Sequence, residues 1–178
     1  MIYAAVDVCY PASGGACAAA VLAADAAFAE VTAERTAWLP DVVAYEPGEF
    51  YRRELPALRE VLTDLPGLGQ LIIDGYVDLD AAGRPGLGVH AHRTFGVPVI
   101  GVAKTTFHTA THAIPVLRGR SARPLYVTAI GLPLAEAAEQ IRTMTGRFRL
   151  PDAIRRADAL GRSAVGARAL NGVASASR

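Results

Sequence analysis

The chain has 178 residues, 52% of them hydrophobic and 20% charged, with 17 arginines and a single lysine, Lys104. That length and balance describe one globular domain with a substantial core and exclude a disordered chain. The net charge is only +1, but residues 1–80 carry 13 acidic and 4 basic side chains, while residues 81–178 carry 4 acidic and 14 basic ones.

Ile2 to Cys9 reads as a first strand, and Pro11-Ala12-Ser13-Gly14-Gly15 as the turn that follows it. Cys17 to Ala24 and Phe28 to Thr36 are expected to continue a meander, although alanine is a poor strand former. Pro40 to Gly48 is a loop. In Glu49 to Leu65 the apolar residues fall at helical spacing, and Pro66-Gly67 ends that helix. Gln70 to Asp74 is a short apolar strand of the kind buried on both faces in a parallel sheet. A polar loop from Gly75 to Pro85 leads to a helix over Gly86 to Phe95, then to a strand over Pro98 to Ala103 that stops at Lys104. Thr105 to Arg123 reads as irregular and basic, with His108, His112, Arg118, Arg120 and Arg123. A strand from Pro124 to Ile130 and helices over Leu134 to Met144 and Asp152 to Arg162 complete the pattern, with a frayed tail after about Ser163. A meander followed by alternating strands and helices is expected to give an α/β fold, a mixed sheet with helices on its faces.

No secretory signal is read, because no basic residue precedes the first apolar stretch and Asp7 interrupts it. The alanine-rich stretch from Ala16 to Ala29 contains Asp25 and is too short to span a bilayer. Cys9 and Cys17 are too few for a disulfide framework and lack metal-ligand spacing, so a cytoplasmic location without a membrane partner is the expectation. If both halves share one fold, an acidic centre faces a basic rim. That is either mutually neutralised surface or an arrangement that holds cations against a phosphate backbone.

Asp7, Asp74 and Lys104 each stand where an apolar strand stops. A carboxylate there is costly unless it is paired, hydrogen-bonded or bound to a cation. In open α/β sheets, sites form at the carboxyl ends of the strands. Glu54 lies on the helix before the Asp74 strand, and Asp158 in an arginine-lined helix. Each reads either as a salt-bridged surface residue or as a further metal ligand. Oxygen donors of this kind suit magnesium or manganese. His90 and His92 are two apart and point to different helix faces, and His108 and His112 lack the glutamate of a zinc hydrolase motif. Neither a phosphate-binding glycine loop with Lys-Ser/Thr nor a nucleophile elbow is present.

Taken in order, these residues resemble the endonuclease V family over roughly residues 1–163. Asp7 after its strand, Tyr45-Glu46-Pro47-Gly48, Glu54 in an Arg-Glu context, Asp74-Gly75, Gly101-Val102-Ala103-Lys104, Pro124-Leu125-Tyr126-Val127 and Arg149-Leu150-Pro151 match family segments. The last of these puts Asp158 at the final acidic position. The resemblance implies a ribonuclease-H-like fold in a single domain, with residues 164–178 as a flexible tail. It also implies Mg2+-dependent cleavage of DNA or RNA, with Mn2+ as a substitute. Cutting is expected 3′ of deaminated adenine (inosine) or at distorted sites, leaving a 3′-hydroxyl and a 5′-phosphate. Asp7, Glu54, Asp74 and Asp158 are the expected metal ligands, and Lys104 the catalytic cation. Tyr45, Pro47, Gly48, Gly75, His90, Arg118, Arg120 and Arg123 are the expected nucleic-acid contacts. Two family segments are replaced, one by Tyr76-Val77-Asp78-Leu79-Asp80-Ala81 and one by Ala129-Ile130-Gly131-Leu132-Pro133. These departures leave open a non-catalytic nucleic-acid-binding relative and a small-molecule phosphohydrolase.

Overall fold

In the computed structural model, residues 1–47 and 49–175 are described, with side chains through residue 168. Gly48 lies outside the described residues. The elements in chain order are β1 (Ile2–Cys9), β2 (Ala16–Ala23), β3 (Val31–Leu39), α1 (Phe50–Leu62), β4 (Leu68–Asp74), α2 (Leu87–Phe95), β5 (Val99–Ala103), β6 (Ile114–Val116), β7 (Leu125–Ile130), α3 (Leu134–Thr143) and α4 (Asp152–Ser175). The strands form one mixed sheet in the order β3-β2-β1-β4-β5-β7-β6. β1, β4 and β5 run parallel at its centre, and the remaining neighbours pair antiparallel.

Helices cover both faces, as expected. Ala4, Val6, Leu71 and Ile73 pack with Leu58, Val61 and Val89 of α1 and α2. Ala5, Ile72, Ile100 and Val102 pack with Ile141 of α3 and with Ile154 and Ala157 of α4. The two-residue period of a strand therefore sorts each central strand into two buried halves. Every residue of β2 is buried despite its alanine content. Small side chains there let helices approach from both sides: a Cβ added at Gly161 of α4 would lie 3.7 Å from the Ala19 Cβ. Tertiary burial outweighs the weak strand propensity of alanine.

The boundaries shift where local hydrogen bonds compete. β3 starts at Val31, later than expected, because the Asp25 carboxylate accepts from the Ala27 and Ala29 amides at 3.0 and 3.2 Å. That turn leaves Phe28 at φ 54°, outside any strand. α1 stops at Leu62, before Asp64 with its positive φ of 52°. The segment read as irregular contains the short edge strand β6, and α4 continues past Arg162 to Ser175.

Arg118 does not reach outward toward a phosphate. It is buried, and its guanidinium donates to the carbonyls of Arg142, Met144, Gly146, Phe148 and Arg149. A planar fork with five N–H donors suits a turn in which five carbonyls lack helical or strand partners. Arg118 thus braces the α3–α4 connection, correcting its reading as a nucleic-acid contact. Arg118→Met is expected to lower unfolding stability by about 3 kcal/mol or more, through unpaired buried carbonyls. Urea denaturation monitored by circular dichroism measures the loss.

Candidate active site

The parallel pairing of β1 with β4 sets Val6 opposite Ile73, so Asp7 and Asp74 follow side by side at the carboxyl ends of the two strands. β4 pairs in turn with β5, with Asp74 opposite Val102, and Lys104 follows directly after β5. Lys104 Nζ forms an ion pair with Asp74 Oδ2. Glu54 reaches the same place from α1 on the other face. Asp7, Glu54, Asp74 and Lys104 line one open cleft together with Tyr10, Phe50, Gly75 and Tyr76.

The electrostatics record how closely these charges sit. Burial pushes the Asp7 carboxyl up to about 6, helped by the neighbouring charges of Asp74 and Asp158 and opposed by Lys104. Glu54 is 6% exposed, and burial pushes it up to about 8 against the opposing hydrogen bond from Tyr10. The Tyr10 hydroxyl donates to Glu54 Oε1 at 2.7 Å, and the Arg53 guanidinium lies 3.8 Å over the Tyr10 ring. Glu54 is therefore a buried carboxylate and not the solvated one that its arginine neighbours suggested. Asp158 of α4 lies near enough to act on both Asp7 and Lys104, while its own carboxylate is paired with Arg162 one turn on.

Among the described residues, no three His, Cys, Asp or Glu side chains close into a finished metal cage in this conformation. The Asp74 carboxylate is instead held by the Lys104 ammonium. The donor chemistry nevertheless fits a hard divalent cation. It consists of carboxylate oxygens only, with Asp7 raised first by burial and then by the charges of Asp74 and Asp158, and with one lysine as the cationic counterweight.

Beside the cleft lies a cavity of about 200 Å³ lined by Tyr45, Phe50, Tyr51, Tyr76, Leu79 and Phe107, and by Gly75. Gly75, at φ 140°, turns the chain from Asp74 into this wall. The wall is fixed by cross-links between two loops. Tyr76 OH donates to the Thr105 carbonyl at 2.8 Å and accepts from the Phe107 amide at 3.0 Å. Thr109 donates to the Leu79 carbonyl, and His112 Nε2 lies 2.8 Å from Asp78 Oδ1.

The remaining expected contacts are scattered around this centre. Tyr45 is 57% exposed and meets Phe50 edge-on at 6.4 Å, with Pro47 exposed beside it. His90 instead stacks flat on Tyr51 at 3.6 Å, so it supports the cavity wall from behind. Arg120 and Arg123 are exposed beyond β6. Tyr10, Tyr51, Tyr76 and Phe107 were not singled out from the sequence. A signal for the first three was present, since each lies within three residues of an acidic site residue.

The Endonuclease V family model matches residues 1–131. The curated endonuclease V of Streptomyces coelicolor is 34% identical over 183 residues, covering 90% of this chain and 77% of its own length. That of Azotobacter vinelandii is 32% identical over 180 residues, covering 89% and 81%. The chain belongs to the endonuclease V family. Among solved structures, the endonuclease V of Streptomyces avermitilis superimposes with a TM-score of 0.80 at 31% identity, covering 95% of this chain and 83% of that one. Human endonuclease V gives 0.75 at 25%, covering 94% and 85%. The Ciona intestinalis enzyme, solved with a 23mer DNA containing an inosine followed by a ribo-adenosine, shares the fold at 0.79 and 18%, covering 93% and 85%. The fold is the expected ribonuclease-H-like α/β sheet, and an endonuclease V is a phosphodiester-hydrolysing endonuclease. Among the described residues, no helix is long and apolar enough to cross a membrane.

The Tyr10 hydroxyl opposes the effect of burial on Glu54, so Tyr10→Phe is expected to push the Glu54 carboxyl further above about 8. Carboxyl chemical shifts followed by NMR against pH measure it, and an unchanged midpoint would remove Tyr10 from the site.

Proposed function

We propose that this endonuclease V hydrolyses a phosphodiester bond 3′ of inosine in DNA or RNA, leaving a 3′-hydroxyl and a 5′-phosphate. The observation that carries this reading is the convergence of Asp7, Glu54 and Asp74 with Lys104 at the carboxyl ends of parallel strands, within electrostatic reach of Asp158. Asp7, Asp74, Glu54 and Asp158 are the residues that would hold Mg2+, or Mn2+ in its place. When bound, such a cation supplies a nucleophilic water and stabilises charge on the phosphate and leaving oxygens.

The chain's own residues supply the rest. Lys104 already faces the acidic cleft, and its ammonium offsets negative charge that a scissile phosphate brings there. Tyr10 keeps Glu54 in one orientation. The aromatic cavity beside Gly75 is apolar and small, fit for one unstacked base read by shape and stacking. Inosine-containing DNA in the Ciona relative supports the choice of base. Tyr45, Pro47 and Gly48 form the proposed wedge into the stack that the base leaves, a role that the exposure of Tyr45 supports. Arg120 and Arg123 offer charge to the phosphate backbone.

With Mg2+, the protein is expected to cut an end-labelled inosine-containing strand and to spare the matching adenosine strand. Lys104→Ala should slow the cut by about 10²-fold, and Asp74→Ala should reduce it to background. Gel electrophoresis of the products checks both. Binding without any cut would favour the non-catalytic alternative. Turnover confined to nucleotides or sugar phosphates would favour the small-molecule one.

A further inference from the structure

The connection between α3 and α4 is a surface loop held with unusual firmness. Arg118 ties four of its carbonyls, those of Met144, Gly146, Phe148 and Arg149, to one buried guanidinium. From this braced loop the Phe148 ring projects outward, 45% exposed. Two cations lie over the ring: the Arg155 guanidinium carbon is 4.3 Å from the ring centroid, and that of Arg147 is 5.0 Å away. Arg120, Arg147 and Arg149 line a surface hollow with Phe148. One carboxylate is close by, that of Asp152, 3.2 Å from Arg155.

Two connections join this surface to the catalytic cleft. Arg149 donates to the carbonyls of Lys104 and Pro124, so the loop is tied to the catalytic lysine's own backbone. On α4, Arg155 precedes Asp158 by three residues, a rise of about 4.5 Å along one helix face.

The guanidinium groups over this half-exposed ring sit on flexible side chains, so an arriving base can take the place of one of them and leave that cation free to meet a phosphate. Arginines placed around an aromatic ring, outside a groove that cuts a phosphodiester, are the combination that binds unpaired nucleotides. The base stacks on the ring, and the cations meet its phosphates. We propose that Phe148, with Arg147, Arg120 and Arg155, forms a second nucleic-acid subsite. It stacks one unpaired base of the bound strand away from the aromatic cavity, while Arg118 keeps the platform in place. This rests on the reading of the cleft as a nuclease site and extends it to the flanking strand.

The test uses single-stranded inosine oligonucleotides lengthened stepwise at the 5′ or the 3′ end. Binding is read by fluorescence anisotropy, with Asp74→Asn in all proteins so that the strand survives. With Phe148 present, affinity should step up about tenfold when the strand becomes long enough to reach the platform. In Phe148→Ala the step should vanish, and in Phe148→Trp it should persist, with the new indole's emission quenched at the same length. Equal length dependence in Phe148→Ala and the parent overturns the platform, as does indole emission from Phe148→Trp that stays unquenched at every length. Cleavage of the same oligonucleotides by the unaltered protein is run alongside. Cleavage without the Phe148 step rejects the subsite alone, whereas neither cleavage nor binding rejects the nuclease reading beneath it.

Discussion

The parallel register of β1 against β4 is the constraint on which the site depends. It places two carboxylates side by side at the ends of buried strands, where the flanking apolar side chains can pair with neither. Burial and repulsion from Asp74 and Asp158 raise the half-buried Asp7, and Glu54 adds a third, fully buried carboxyl from the opposite face. Such crowding is unfavourable for folding by itself. One cation, Lys104, stands at the end of the next parallel strand and offsets part of this cost, and the oxygen donors left over are of the kind that suits a divalent ion.

The surroundings act as devices that hold the chain around this crowded centre. Thr128 Oγ1 accepts from the Val77 amide at 2.9 Å, which fixes the chain just after Gly75 against β7. Gly101 of β5 permits this crossing, since an added Cβ would meet the Gly75 carbonyl at 2.6 Å and Thr128 Oγ1 at 2.8 Å. The links from Tyr76 and Thr109 tie the two cavity loops together, and Arg149 ties the α3–α4 connection to the backbone of Lys104. The aromatic cavity, the acidic cleft and the arginine-bearing loop are therefore mechanically joined, and a strand lying across them would meet a preorganised surface.

Much of this was legible in the sequence, for identifiable reasons. Asp7, Asp74 and Lys104 could be found because each interrupts an apolar run, and the strand order made them neighbours. Arg118 was misread because an arginine in a basic segment looks solvated. Its burial depends on carbonyls contributed by residues 142–149, which no local pattern reveals. Glu54 was found by resemblance, but its burial was hidden by Arg52 and Arg53 beside it. Only packing shows that Arg53 lies over Tyr10 and that Tyr10 holds Glu54. His90 looked like a strand contact, and only the stack on Tyr51 shows it at work behind the cavity wall.

The central claim is that Asp7 and Asp74 form the heart of a divalent-cation site. The most direct measurement is anomalous diffraction at the manganese edge from crystals grown with Mn2+. An anomalous peak within bonding distance of both carboxylates, about 2.0 to 2.3 Å, is the predicted result. Well-ordered side chains with Lys104 still seated on Asp74 and no peak between the two aspartates, at Mn2+ concentrations that support cleavage, would contradict it.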